Sequence, residues 1–167
     1  MSLTGRIRLL LVPLAAALAV ASATGAAASP LSMGSGTFTT TSAQFVHVRS
    51  AGATTIVDPL VAHLTYTGTF SGTSVVQGIL IFHPDGSATF HDVETFTGTV
   101  DGIPGTVTFS LDGGSTPDGA YHGTDVIVRG TGGLASLHGV MRQVGTVAPP
   151  QQPPLGTYTA QLLFDNR

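Results

Sequence analysis

Cysteine, tryptophan and lysine are absent from the 167-residue sequence, and charged residues make up only 9% of it. Without cysteine the chain has no disulfide, no thiolate metal ligand and no thiol nucleophile, so its stability must come from buried apolar side chains. The six basic residues are all arginine and are outnumbered by nine acids. So few cations cannot neutralise a series of phosphates, and we expect no nucleic-acid partner.

An apolar run long enough for a transmembrane helix is also missing near the N-terminus. Arg6 and Arg8 precede an apolar run over 9–20, and small residues follow it up to Ser29. The run is well short of the roughly 20 residues that cross a bilayer. This order of basic, apolar and small residues is typical of a secretory signal peptide.

Two cleavage sites with the A-x-A pattern follow this run, one ending at Ala23 and one at Ala28. The second site predicts a signal peptide over 1–28 and a single domain over 29–167. That domain keeps four arginines against nine acids and is therefore acidic. We expect a secreted, extracytoplasmic protein with no membrane span after cleavage.

Short apolar runs alternate with turn signals along the remainder of the chain, which is rich in glycine and threonine. No window keeps a helical period, so the domain is predicted to be all-β. The strands are predicted at Gly36–Val48, Leu60–Phe70, Thr73–His83, Ala88–Gly98, Gly105–Leu111, Gly123–Arg129, Leu137–Val147 and Gly156–Phe164.

Short connections join these eight predicted strands. In the clearest of them, Pro84 presets φ for a turn and Gly86 supplies a positive φ, which predicts a hairpin. The proline-rich segment 148–154 cannot continue a ladder because proline lacks an N–H, so we expect a loop there. Short links favour antiparallel pairing of consecutive strands. Eight strands paired in chain order form a sheet with two open edges unless the first and last strands also pair. The sequence therefore predicts a small eight-stranded antiparallel up-and-down β-barrel, with a β-sandwich as the alternative.

Alternation within the predicted strands separates two faces. The segment 65–72 recurs as 95–102, and both copies place threonine on one face and aromatic or aliphatic side chains on the other. This pattern is typical of a sheet with one solvated and one buried face. We expect the inward residues to line or plug the barrel and to contact a small apolar ligand. They are Tyr66, Phe70, Phe96, Val107 and Phe109.

Three motifs carry a resemblance to a known family. They are Glu94–Val107, Gly130–Gly139 and Gly156–Ala160, the last followed by Phe164-Asp165. They resemble the bacterial family called domain of unknown function 3224, which is grouped with the allene oxide cyclase-like barrels. The resemblance implies a small eight-stranded antiparallel barrel over Gly36 to Asp165. The plant members of that superfamily, allene oxide cyclases and dirigent proteins, bind apolar ligands inside the barrel and are trimers, which implies an interior ligand and a homo-oligomer.

Glu94 is the candidate catalytic residue, because it shares the parity of Phe96 and so points inward. A buried carboxylate must be paired, hydrogen-bonded or protonated, and a raised pKa in a cavity suits acid or base catalysis. The structural alternative is that Glu94 binds backbone amides or an arginine, and Arg129 is a candidate partner. Asp92 has the same parity, which suits two-carboxylate hydrolysis, but its position near a strand end favours a solvated acid.

No metal ion and no cofactor is expected. Histidines occur at positions 47, 63, 83, 91, 122 and 138, without the close pairs that bind an ion, and we expect them on the surface or at the barrel mouth. The segment Gly130–Ala135 fits the dinucleotide pattern G-x-G-x-x-A, but no helix-length pattern follows it. We interpret it as a barrel corner, where glycine permits a bend.

These observations favour a secreted β-barrel that binds a small apolar or amphipathic ligand and has no chemistry of its own. The first alternative is an isomerase or cyclase that uses Glu94 as its acid or base. The second is a structural or oligomeric envelope protein, which a filled interior and an apolar outer patch would favour.

Overall fold

The computed structural model describes residues 30–147 and 154–165, which form strands, turns and short connections without a helix. In these two ranges no helical segment has the length and apolarity of a membrane span. The predicted signal peptide over 1–28 lies outside the described residues, as does most of the proline-rich segment. The strands are β1 (Ser32–Phe45), β2 (Val48–Ala51), β3 (Thr54–Gly68), β4 (Phe70–Phe82), β5 (Ala88–Val100), β6 (Ile103–Ser115), β7 (Ala120–Gly132), β8 (Leu137–Thr146) and β9 (Leu155–Phe164).

The strands close into a barrel. From β3 to β9 each strand pairs antiparallel with its chain neighbour, and β1 pairs with both β9 and β3. Eight strands therefore form the ring, and β2 is a short extension that pairs with the start of β3. The predicted all-β, eight-stranded antiparallel barrel is confirmed, and the sandwich alternative is wrong because β1 joins the two ends of one sheet.

The first predicted strand, Gly36–Val48, is broken in the structure. β1 ends at Phe45, and β2 continues along β3 and joins it through a turn at Gly52, whose φ is +64°. The pairing of β3 with β4 shifts register around Pro59, which has no N–H for the ladder. Residues 49–59, to which no strand was assigned from the sequence, therefore belong to this hairpin, whose short glycine-containing turn is typical of two-residue loops.

Threonine covers the outer wall, as the alternation predicts. In one row every threonine is the cross-strand partner of the next, so the row crosses six strands. Beside it, the hydroxyl oxygens of Thr37 and Thr67 are hydrogen-bonded at 2.8 Å. Threonine suits this position because its branched side chain favours the strand while its hydroxyl stays solvated. The row consists of Thr39, Thr65, Thr73, Thr97, Thr106 and Thr131.

One end of the barrel is filled by a packed core. The ring of Phe70 meets the rings of Phe96 and Tyr158 edge to face, with centroids 5.3 and 5.8 Å apart. Leu134, from the turn between β7 and β8, is fully buried in the same cluster. The hydroxyl of Tyr158 accepts a hydrogen bond from the backbone N–H of Phe70 at 2.8 Å. Aromatic contacts of this geometry stabilise a core beyond the area they bury.

Four glycines form a cross-strand row beside this packed core. A methyl group at Gly98 would lie 2.8 Å from the ring of Phe96, and one at Gly105 would lie 2.9 Å from the side chain of Leu134. The interior side chains thus occupy the space that a side chain would need, and the sheet bends tightly there. The row consists of Gly72, Gly98, Gly105 and Gly132.

Phe96→Ala should destabilise the barrel by about 3–5 kcal/mol, because it removes a fully buried ring that contacts Tyr66 and Phe70. Urea unfolding followed by circular dichroism measures the loss. The control is Phe45→Ala, which removes a half-exposed ring and should cost less than about 1.5 kcal/mol. Equal losses in the two variants would contradict the location of the packed core.

Candidate functional site

The opposite end of the barrel is open. A cavity of about 730 Å³ lies there, bounded by the turn that joins β4 to β5 and the turn that joins β6 to β7. Its wall is mostly apolar and includes Leu60, Leu80 and Phe90. Phe45 and Phe82 also line it, with ring centroids 6.1 Å apart. A cavity of this volume and composition suits one small organic molecule.

A layer of polar side chains separates the cavity from the packed core. Along β5 the inward residues change from Phe90 in the cavity wall to Asp92, then Glu94, and then Phe96 in the core. Asp92 is 3% exposed and lines the cavity, whereas Glu94 is fully buried and does not line it. Asp125 of β7 is also fully buried. The middle of the barrel therefore contains three carboxyl groups.

Gln143 of β8 connects this polar layer across the barrel. Its Nε2 donates hydrogen bonds to Asp125 Oδ2 at 2.8 Å and to the Tyr66 hydroxyl at 2.9 Å. Its Oε1 accepts a hydrogen bond from the Tyr121 hydroxyl at 3.2 Å. One amide side chain thus satisfies groups from β3 and β7, and because it is 1% exposed it does so without solvent. We call the set formed by Gln143, its three partners, Ser74, Asp92 and Glu94 the polar layer.

Each carboxyl group of the polar layer has a fully buried oxygen without a hydrogen-bond partner among the described residues: Asp92 Oδ1, Glu94 Oε2 and Asp125 Oδ1. The other oxygen of Glu94 accepts a short hydrogen bond, 2.6 Å long, from Ser74 Oγ. The described residues contain no group of three acids or histidines that could hold a metal ion. Buried oxygens without partners are costly, and they mark positions where a ligand or proton can bind.

No arginine of the described residues reaches the polar layer. Arg49, Arg129 and Arg142 are all exposed on the barrel surface. The interpretation that Arg129 pairs with Glu94 is therefore wrong, because Arg129 faces solvent and Glu94 is hydrogen-bonded inside the barrel to Ser74. No arginine side chain of the described residues therefore neutralises these carboxyl groups.

The histidines also lie away from the polar layer. His83 is half-buried beside the turn after β4, and the other five histidines are exposed. Two of them pair with acids on the outside of the barrel: His91 Nδ1 with Asp112, and His138 Nε2 with Asp165 at 2.9 Å. None of the histidines lines the cavity.

Burial dominates the ionisation of the polar layer. It raises the pKa of Asp92 to about 7. It also raises the pKa of Glu94, an effect that the hydrogen bond from Ser74 and the nearby Tyr66 hydroxyl partly offset. Burial, with the neighbouring charge of Glu94, raises the pKa of Asp125 well above its ordinary value. Low polarity disfavours the charged form, so the pKa of the Asp92 carboxyl group, which lines the cavity, lies near neutral pH.

Gly78 makes room for the carboxyl group of Asp92. The two residues are cross-strand partners on β4 and β5. A methyl group at Gly78 would overlap Asp92 Oδ1 and the backbone carbonyl oxygen of His91. The carboxyl group therefore packs directly over the β4 backbone, where a larger residue at position 78 would displace it.

The five residues expected to contact a ligand all point into the barrel and are at most 2% exposed. None of them lines the cavity. Tyr66 belongs to the polar layer, and the other four fill the packed core. They plug the interior, and their contact with a ligand stays a prediction. They are Tyr66, Phe70, Phe96, Val107 and Phe109.

The inward direction of Glu94 is predicted correctly from its parity, whereas the burial of Asp92 and four members of the polar layer are not predicted. Asp92 was expected to be a solvated acid, yet it lies well inside β5 and is 3% exposed. Ser74 of β4 was not singled out, and neither were Tyr121, Asp125 and Gln143. Their inward parity on β7 and β8 was a usable signal, because the apolar residues of those strands alternate with the same period.

Fold and site together define a small closed antiparallel barrel with a half-filled interior and a buried acidic layer. A family model described as a protein of unknown function, DUF3224, matches residues 34–147. The chain therefore belongs to the DUF3224 family, as its motifs suggested. None of the curated proteins matches this chain.

The chain is similar to a crystal structure of a protein with unknown function from the DUF3224 family of Shewanella oneidensis MR-1. The two share 17% sequence identity with a TM-score of 0.65. The match covers 82% of this chain and 100% of that chain. At this identity the likeness supports the barrel fold alone.

Asp92→Asn should stabilise the barrel at alkaline pH. The pKa of Asp92 is about 7 in the fold against an ordinary value of 3.8. The stability that the fold has while the Asp92 carboxyl group is protonated is therefore fully present below about pH 4. It is lost as pH rises through 7 and the group ionises. The substitution should raise the free energy of unfolding by about 2 kcal/mol at pH 8.5 and change it little at pH 4.

Urea unfolding at both pH values measures this effect. The matched control is Asp101→Asn, which removes an exposed acid from a turn at the packed end and should leave the pH profile unchanged. A native protein whose stability does not fall between pH 4 and pH 8.5 would contradict the assignment of buried, protonated acids.

Proposed function

We propose that this protein is an exported barrel that binds a small apolar or amphipathic molecule in the cavity above Asp92. One observation carries the proposal: the apolar wall of a cavity of about 730 Å³ ends at a buried carboxyl group with a partnerless oxygen. Ligand sites combine apolar walls with a few placed polar groups in this way.

The division of the interior supports a binding role. The packed core fills one end of the barrel, so the fold has a source of stability that does not require the other end to be filled. An open interior disfavours the alternative of a filled structural barrel. Export is proposed from the order of basic, apolar and small residues at the N-terminus. We also propose a relation to the allene oxide cyclase-like barrels, which rests on the motif resemblance.

Titration with N-phenyl-1-naphthylamine, an apolar dye that fluoresces when it leaves water, tests this proposal. The protein purified from a secreting host should bind the dye saturably with one site. Ala62→Phe should weaken binding at least about tenfold, because Ala62 is buried in the cavity wall and a ring there fills the space.

The matched control is Ala135→Phe, which adds the same ring to an exposed position in the turn between β7 and β8. It should bind the dye as the native protein does. Absence of saturable binding, or equal binding by all three proteins, would overturn the proposed use of the cavity.

Acid–base catalysis is the second candidate function, and the position and pKa of Asp92 favour it. A carboxyl group with a pKa of about 7 beside a cavity is suited to take or give a proton at neutral pH. In this isomerase or cyclase alternative Asp92 contacts the substrate. Glu94 acts only through its neighbours, since it does not line the cavity.

A probe for a buried base is 5-nitrobenzisoxazole, whose ring opens when a base removes its C3 proton and the N–O bond breaks, with release of a yellow phenolate. The native protein should accelerate this reaction saturably, with a rate that rises through about pH 7. Asp92→Asn should lose at least about tenfold of the rate, and Asp101→Asn should lose none. A rate equal to the buffer background would exclude this base and leave the binding proposal intact.

A further inference from the structure

The interior of the barrel is acidic, and none of the described arginine or histidine side chains lines the cavity. The cavity wall includes Asp92, which is almost wholly buried and whose carboxyl group has no hydrogen-bonded or ion-paired side chain among the described residues. An apolar ligand without a polar group would leave that carboxyl group unsatisfied. A ligand with its own carboxylate would add a further acid to a layer that already holds three.

We infer that the cavity selects an apolar molecule that carries a protonated amine, with the amine bound to Asp92. This inference rests on the proposed function, since it names the class of ligand that the cavity takes. An ammonium group brings a positive charge, which the polar layer lacks, and hydrogen-bond donors for the Asp92 carboxyl group. A charge-assisted hydrogen bond in a site shielded from water is stronger than one between neutral groups.

The groups around Asp92 leave the amine no competitor. On β4 its cross-strand partner is Gly78, and on β6 it is Leu111, neither of which is charged. On β5 and β7 the inward titratable groups are Glu94, Tyr121 and Asp125, which are acids or neutral.

The outer face adds little charge near the cavity. His91 of β5, next to Asp92 in the chain, and Asp112 of the neighbouring β6 pair with each other there. Tyr121 also lines the cavity, and its hydroxyl already donates its proton to Gln143 Oε1. That hydroxyl therefore has no proton left to donate to a ligand.

Binding of an amine should be linked to proton release. The pKa of Asp92 is about 7, so below that pH the amine must displace the proton of the carboxyl group before the ion pair forms. Affinity should therefore rise about tenfold per pH unit below 7 and level off above it. An alkyl ammonium stays protonated throughout this range, because its pKa is near that of lysine.

Isothermal titration calorimetry with three probes of equal chain length tests the inference: octylamine, octan-1-ol and octanoate, each at pH 6, 7 and 8. Octylamine should bind at least about tenfold more tightly than octan-1-ol at pH 8, and octanoate most weakly. At pH 6, comparison of two buffers with different ionisation enthalpies should show release of close to one proton per octylamine bound.

Asp92→Asn should remove the preference for octylamine, so that octylamine and octan-1-ol bind this variant with affinities within about twofold of each other at pH 8. Asp101→Asn, which removes the same charge at the opposite end of the barrel, should change neither. The proton release is measured on the native protein, so it decides the matter even if the Asp92 variant does not fold.

Two failures are distinguishable. If octylamine and octan-1-ol bind equally, or octylamine binds without proton release at pH 6, the inference is overturned and the cavity remains a binding site for apolar molecules. If none of the three probes binds and N-phenyl-1-naphthylamine does not bind, the proposed function itself is wrong, and the inference fails with it.

Discussion

Closure of the sheet is the constraint on which the rest of the structure depends. Because β1 pairs with both β3 and β9, every ring strand has two neighbours, and the alternation of each strand assigns its side chains to the inside or the outside. An eight-stranded ring has an interior just wide enough for side chains to fill or for one small ligand. The size of the inward residues decides, at each level along the barrel axis, whether side chains fill the interior or leave room for a ligand.

The polar layer lies where these two uses of the interior meet. Three acids without a cation among the described residues are tolerated there because burial favours their neutral form. In addition, Gln143 Nε2 donates hydrogen bonds to Asp125 and to the neighbouring Tyr66 hydroxyl. Partnerless oxygens nevertheless remain. A layer built for stability alone would be apolar or fully hydrogen-bonded. The remaining oxygens therefore support the proposed binding role.

Sequence alternation predicted the barrel and the inward direction of Glu94 and the aromatic residues, because direction depends only on the parity of a residue in its strand. It did not predict depth along the axis. Phe96 and Phe90 have the same parity, yet one lies in the packed core and the other in the cavity wall. Depth depends on the stagger between strands and on where each turn lies, and neither is visible in a local pattern.

The remaining errors have local causes. Asp92 was taken for a strand-end acid because β5 begins directly after the hairpin turn, and the burial contributed by β4 and β6 is nonlocal. Arg129 was matched to Glu94 by charge alone. A register shift next to it in the pairing of β6 with β7 accompanies its outward position. The β2 hairpin was overlooked because Pro59 interrupts the apolar pattern of β3.

The unequal filling of the two ends also implies unequal local stability. Amide protons of β5 and β6 near the packed core are shielded by interlocking rings, and we expect them to exchange with deuterium only when the whole barrel unfolds. Amide protons around the cavity have fewer apolar contacts beneath them, and partial opening should expose them more often. The proposed ligand would then enter through fluctuations of the turns after β4 and β6 while the other end of the barrel stays folded. A rigid end and a yielding end would thus coexist in a single sheet.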